Sequence, residues 1–328
     1  MFLISKYDKI KSRIKLVFVR KKGKDAKLKV EIELIGAPFF LGSKAKGTEQ
    51  APEIIRKLNL QELFLDNKIE YYDYGDINVL FNNSDFLNKL QINNFDGIVK
   101  SSKQIKDEVY NRLDKKRLPL ILGGDHSISI GSLAASSSFF DNLGVVWLDA
   151  HPDINTPHTS PSQNAHGMPL SFALGYGPKE IVSLYQNYLN PNNIHIIGLR
   201  SIDEGEREII KKHHINYYDK SLIEKKGIDF IASEIVNLLR KNMVTNIHFS
   251  FDIDVLDPSL VPGTGTPVPE GLFIEEITTL INILFESKMI RLIDLVEYNP
   301  LLDNATKTTQ KTVMQLLNIM ISNLAKIK

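Results

Sequence analysis

The chain has 328 residues, 43% hydrophobic and 24% charged, with 40 basic against 39 acidic side chains, 8 His and no Cys. That is the composition of an ordinary folded protein, and no apolar run approaches the roughly 18 residues of a membrane span. The lack of cysteine removes disulfides, thiolate metal sites and a cysteine nucleophile from consideration.

The near-neutral total hides a division. Of the 40 basic and 39 acidic residues, 11 and 2 fall in residues 1–29, which leaves 29 against 37 for residues 30–328. A basic leader therefore precedes an acidic body. In the leader, Ile14, Leu16 and Phe18 alternate with charge before Lys21–Asp25, as in a β-hairpin. Ile4, Tyr7, Ile10, Ile14 and Val17 instead follow a helical spacing, as in a basic amphipathic segment. A transit peptide is usually richer in Arg and Ser, and a solvated basic extension is the reading we favour. The expected location is the cytoplasm, with organellar targeting by the leader left open.

Beyond the leader, short apolar runs predict strands over Val30–Ile35, Glu70–Tyr74, Leu118–Leu122, Gly144–Leu148, Ile194–Leu199, Ile247–Asp252 and Ile290–Val296. Several are continuous apolar runs, the pattern of a sheet covered on both faces. Helical patterns fall between them, at Ala51–Leu58, Ile98–Lys116, Ser221–Lys241, Phe273–Ser287 and Thr308–Ala325. The last of these places Val313, Leu316, Leu317 and Met320 on one face. Strand and helix alternating over the whole length predict a parallel α/β sheet. With no internal repeat, low-complexity tract or Pro/Gly-rich linker, residues 30–328 read as one domain. Function in such sheets sits at the carboxyl ends of the strands.

Three strand ends carry a dense set of metal-ligating side chains. Gly123-Gly124-Asp125-His126-Ser127 follows Leu118–Leu122, its glycines allowing a tight exit that leaves His126 at the mouth of the strand. Asp149-Ala150-His151-Pro152-Asp153 follows Gly144–Leu148; in an extended chain Asp149, His151 and Asp153 would project together. In Ser250-Phe251-Asp252-Ile253-Asp254-Val255-Leu256-Asp257-Pro258, the same spacing pairs Asp252 with Asp254, whereas Asp257-Pro258 reads as a turn and cap. Carboxylates packed side by side in a buried strand need protons or cations to neutralise them. Four carboxylates and two imidazoles, without a thiolate, match two divalent cations of the Mn²⁺ type. Two such ions sharing a bridging water would yield hydroxide near neutral pH, and that chemistry is hydrolysis.

These three motifs, in this order and spacing, resemble the ureohydrolases, the family of arginase, agmatinase and their relatives. The likeness runs from Ile35-Gly36-Ala37-Pro38-Phe39 to Glu297-Tyr298-Asn299-Pro300. The resemblance implies a three-layer α/β/α sandwich around a mostly parallel eight-stranded sheet, and a binuclear manganese site. His126, Asp149, Asp153 and Asp252 would hold one ion, and Asp149, His151, Asp252 and Asp254 the other, with Asp149 and Asp252 bridging; Co²⁺ or Fe²⁺ could use the same ligands. The stretch from Asp153 to His166 is similar to the arginase version. It implies that Asn155 and Ser162 bind a substrate α-carboxylate, that Asp203 receives the α-ammonium, that Thr266 lines the pocket and that Glu297 orients the guanidinium. His166 would shuttle protons, and Asp254 would pass one to the leaving nitrogen.

The activity so implied is manganese-dependent hydrolysis of L-arginine to L-ornithine and urea by a metal-bridging hydroxide. Agmatine, guanidinobutyrate or formiminoglutamate as substrate, or a non-catalytic scaffold of the same fold, are the alternatives. The family suggests homotrimers or hexamers. Neither a membrane nor a nucleic-acid partner is expected, since the acidic body shows no aromatic-basic interleaving. Pro152, Gln163 and Tyr298 depart from the family pattern, with Gln163 standing where arginases commonly have Gly. His158, His195, His213, His214 and His248 lie outside every motif and read as structural.

Overall fold

A computed structural model describes residues 30–79, 81–113 and 117–326. The hairpin, helix and solvated-extension readings of residues 1–29 lie outside the described residues. Eight strands form one sheet: β1 (Ile32–Ala37), β2 (Tyr71–Asp76), β3 (Leu118–Gly123), β4 (Leu143–Leu148), β5 (Ile194–Leu199), β6 (Asn216–Asp219), β7 (Asn246–Asp252) and β8 (Ile290–Val296). Their order is β2-β1-β3-β8-β7-β4-β5-β6, and every pairing is parallel, not merely most of them.

Parallel strands need crossovers, and these place helices over both faces. Alternation along the strands shows the two layers. On β4, Val146 and Leu148 pack with the helices Ile228–Lys241 and Ile274–Glu286, while Val145 and Trp147 pack on the side of Ile128–Phe139. On β3, Leu120 and Leu122 face the first layer and Ile121 the second. The result is the expected three-layer sandwich. Among the described residues, no helix is long and apolar enough to cross a membrane.

Some elements differ from expectation. The predicted helix over Ser221–Lys241 is two helices, Lys220–Lys226 and Ile228–Lys241, broken at Gly227, whose φ is 87°. Strand β6 and the helix Ile128–Phe139 were not among the predicted elements. The sheet order puts the carboxyl ends of β3, β8, β7, β4 and β5 side by side, and all three motifs leave the sheet there.

Candidate metal centre

The centre is built from the exit of β3. A Cβ on Gly124 would stand 1.7 Å from the Phe39 carbonyl oxygen. Only glycine lets the chain pass this close to the segment after β1, where Gly124 N and Asp125 N donate to Ala37 O and Phe39 O at 2.8 and 2.9 Å. His126 follows, fully buried. Its ring stacks on Trp147 of β4, with centroids 4.0 Å apart, and its Nε2 lies 2.8 Å from Ser250 Oγ of β7. One ring nitrogen remains. Nδ1 faces Asp149 Oδ2 and Asp153 Oδ2 at 3.0 Å and Asp252 Oδ2 at 3.2 Å.

The second motif reaches this space by a route other than the one predicted. Strand β4 ends at Leu148, and Asp153 has a φ of 48°, so Asp149, His151 and Asp153 converge through a turn rather than by alternation along an extended strand. Asp149 sits between two imidazoles: Oδ2 accepts from Trp147 Nε1 at 3.1 Å on the His126 side, while Oδ1 lies 3.4 Å from His151 Nδ1. Asp254 likewise lies in a 3₁₀ turn, Ile253–Val255, that Asp252 caps by accepting the Asp254 amide at 2.8 Å. Asp254 Oδ2 then stands 3.1 Å from His151 Nδ1 and accepts from Thr266 Oγ1 at 3.0 Å.

Two groups that could hold a metal ion result, one of His126, Asp149 and Asp153 and the other of Asp149, His151 and Asp254; within each, the ligand atoms lie within 4.8 Å of one another. Asp149 belongs to both, and Asp252 adjoins the first. The electrostatics call for cations. Burial, and next the Asp149 charge, push the Asp153 carboxyl up to about 7. Burial, then Asp254 and Asp149, push Asp252 well up, and burial with Asp149 raises Asp254. For Asp149 burial works upward too, but His126 and His151 outweigh it and hold the group low. The His126 Nδ1 atom is buried without a hydrogen-bond partner, amid three carboxylate oxygens. A proton or a metal satisfies that arrangement, and hard oxygens with two imidazoles are the donor set of a Mn²⁺-type ion. The residues fit the expected group.

Above the centre opens a cavity of about 330 Å³. Its wall includes His151, Asp153 and Thr266 on the metal side, and Asn155, Ser162 and Asp203 beyond. Asn155 Nδ2 donates to Asp203 Oδ2 at 2.8 Å, joining two of the three expected ligands of a substrate's amino-acid end. Glu297, at the exit of β8 with a φ of 66°, is 2% exposed; its Oε1 accepts the His126 amide at 2.7 Å and lies 3.3 Å from His166 Nδ1. Burial works against the His166 proton, but the Glu297 carboxylate outweighs it and holds the ring up to about 9. Every candidate residue named from the sequence therefore lies at this one place.

Other groups at the site were missed. Glu206 caps the helix Glu204–His213, its Oε2 accepting the Asp203 amide at 2.9 Å, but it also lines the cavity, and burial pushes its carboxyl up to about 8. Asp125, pushed up to about 6 by burial and then by Glu297, accepts the Ser43 amide at 2.9 Å. Lys44 joins the cavity wall from the loop after β1. The histidines outside the motifs have partners of their own: Tyr218 for His195, Tyr176 for His213, Asp294 for His248 and Gln91 for His158. His214 ends a helix in the left-handed region. Asp257 caps its turn, accepting from the Ser259 amide at 3.0 Å.

Comparison with known proteins points the same way. A sequence model of the Arginase family matches residues 30–322. An arginase of Staphylococcus aureus is 40% identical over 284 residues, covering 86% of this chain and 94% of the relative. The crystal structure of arginase from Bacillus subtilis is 37% identical with a TM-score of 0.81, over 89% of this chain and 98% of that one. Entamoeba histolytica arginase in complex with L-ornithine is 30% identical with a TM-score of 0.82 and the same coverage.

Proposed function

The chain belongs to the arginase family, and from that membership we propose that it hydrolyses L-arginine to L-ornithine and urea with two manganese ions. One observation carries the reading: Asp149, buried, turns one oxygen to His126 and the other to His151, and His151, Asp153 and Asp252 of the same cluster line a cavity walled by polar side chains. In this reading His126, Asp149, Asp153 and Asp252 hold one ion, and Asp149, His151, Asp252 and Asp254 the other. When bound, the pair lowers the pKa of water enough for attack on the guanidinium carbon near neutral pH.

The chain's own groups do the remaining work. Glu297, a buried carboxylate, gains a cationic partner when the guanidinium arrives and fixes its orientation. His166 shares that carboxylate, so a bound guanidinium takes over the charge that otherwise holds the imidazole proton. His166 then exchanges protons with solvent. Asp254, steadied by Thr266, carries a proton to the nitrogen that leaves as the δ-amine of ornithine. Asn155 and Ser162 receive the α-carboxylate, and Asp203 the α-ammonium. A decarboxylated substrate leaves those polar groups unpaired, which is an effective ground for rejection. Residues 30–328 form the catalytic domain in this reading, behind the basic extension of residues 1–29.

Urea release from L-arginine, agmatine and 4-guanidinobutyrate, measured side by side on the manganese-loaded chain, tests the assignment. Arginine is expected to be favoured in kcat/KM by about a hundredfold or more. Equal or faster release from agmatine reassigns the substrate.

A further inference from the structure

Residues Asn88-Lys89-Leu90-Gln91-Ile92-Asn93 belong to none of the chemical motifs, yet they meet the substrate-side wall of the cavity. Lys89 and Ile92 exchange backbone hydrogen bonds at 2.9 and 3.1 Å across a two-residue turn, with φ of 52° at Leu90 and 60° at Gln91. Successive left-handed residues suit Asn-Gly; a leucine there is strained. This turn sets Asn88 and Asn93 side by side, with the Asn88 side-chain amide donating to Asn93 Oδ1 at 2.8 Å.

Asn93 then reaches across to the loop that carries Ser162. Its Nδ2 donates to Ser162 O at 3.0 Å and to Asn164 Oδ1 at 2.9 Å, and its backbone N donates to Gln163 O at 2.9 Å. Asn88 Nδ2 also donates to Gln163 Oε1 at 2.9 Å, and His158 Nδ1 donates to Gln91 Oε1 at 2.8 Å. Between Asn155 and Ala165 the chain has neither strand nor helix, so these side-chain bonds, with the loop's own turns, take the place of a ladder. Gln163 has a φ of 58°, in the left-handed region that favours glycine, and its side chain adds the tie to Asn88. Ser162 Oγ accepts the Asn164 amide at 3.2 Å and lies 3.4 Å from Ser160 Oγ, so its proton can turn from that hydroxyl to an incoming acceptor.

We propose that the turn of residues 88–93 positions the α-carboxylate subsite, with Asn93 as the positioning residue and the Asn88–Gln163 contact as its support. The proposal rests on the reading of Ser162 and Asn155 as carboxylate ligands. It accounts for Gln163: the side chain points to the brace and its substitution for Gly leaves Ser162 in place.

Asn93→Ala, Asn88→Ala, Gln163→Gly and Ser162→Ala, each made in the full manganese-loaded chain, test it through steady-state arginine hydrolysis. L-Ornithine and putrescine, which differ by the α-carboxylate, serve as competing ligands. Asn93→Ala is expected to raise the arginine KM and the ornithine Ki about tenfold, with kcat within about twofold and the putrescine Ki unchanged. Asn88→Ala and Gln163→Gly should shift the same constants in the same direction by about threefold; they decide the matter if Asn93→Ala does not fold. If Ser162→Ala gives this ornithine-selective loss and the other three do not, the brace is overturned and the carboxylate reading stands. If Ser162→Ala itself shows no selectivity, the carboxylate reading fails and takes the brace with it. Equal loss of ornithine, putrescine and kcat in the brace variants means a merely structural turn, which also overturns the proposal.

Discussion

Asp149 and His195 show how differently a buried ionisable group is accommodated in this molecule. Asp149 is charged because two imidazoles face it. His195 has only the Tyr218 hydroxyl at 3.1 Å and a buried Nε2 without a partner, and burial pushes it down to about 4. The native state thus binds fewer protons than the unfolded chain below pH 6.5. The stability from this group is complete above that pH and is lost as pH falls toward 4, about 3 kcal/mol in all. His195→Phe should flatten the fall in stability between pH 7 and 5 relative to the parent chain, read from urea denaturation at each pH. An unchanged slope contradicts the assignment. At this scale the candidate metal ligands were legible in the sequence because four carboxylates gathered at the ends of apolar strands are stable only with protons or cations beside them. Glu206 was not, because an acid that caps a helix and an acid that also lines a cavity have the same sequence signature.

Among the elements, most strands declared themselves as apolar runs and β2 by its tyrosines, while β6 did not. Strand β6 is four residues, Asn216–Asp219, on the sheet edge with Tyr217 exposed, so neither run length nor alternation marks it. The helix Ile128–Phe139 is rich in Ser and Ala and buried nearly all round, so it has no polar face to give a helical period. The break at Gly227 was visible as a glycine inside a helical pattern, but only the fold shows that its φ is positive. The turns that carry Asp153 and Asp254 have the sequence signature of extended strands, because alternation with period two and convergence through a turn select the same residues. The exit of β3 passes close against the segment after β1. Gly124→Ala drives a Cβ into the Phe39 backbone, which has no rotamer to yield. A loss of about 3 kcal/mol or more in unfolding free energy is expected, along with weakened metal retention. A variant as stable as the parent would show that this approach is looser than the distances state.

For the whole molecule, the composition acquires causes. The body of residues 30–328 holds 37 acidic against 29 basic side chains. Four of those acids meet in one buried cluster, and Asp203 and Glu297 stand where a cationic substrate would neutralise them. With cations bound in that cluster, the body would be less acidic than its sequence. The parallel sheet makes this arrangement available: its order brings the ends of β3, β8, β7, β4 and β5 together, so residues from 126 to 297 meet at one place. In the function proposed here, this cluster is a manganese centre whose loss abolishes arginine hydrolysis. Metal content by mass spectrometry, taken with urea release on the same samples of parent and Asp149→Asn, tests it most directly. The expected result is two manganese ions per chain in the parent, with metal content and activity lost together in Asp149→Asn, the latter by about a thousandfold or more. Full turnover in Asp149→Asn, or undiminished urea release from the metal-stripped parent, would contradict the account.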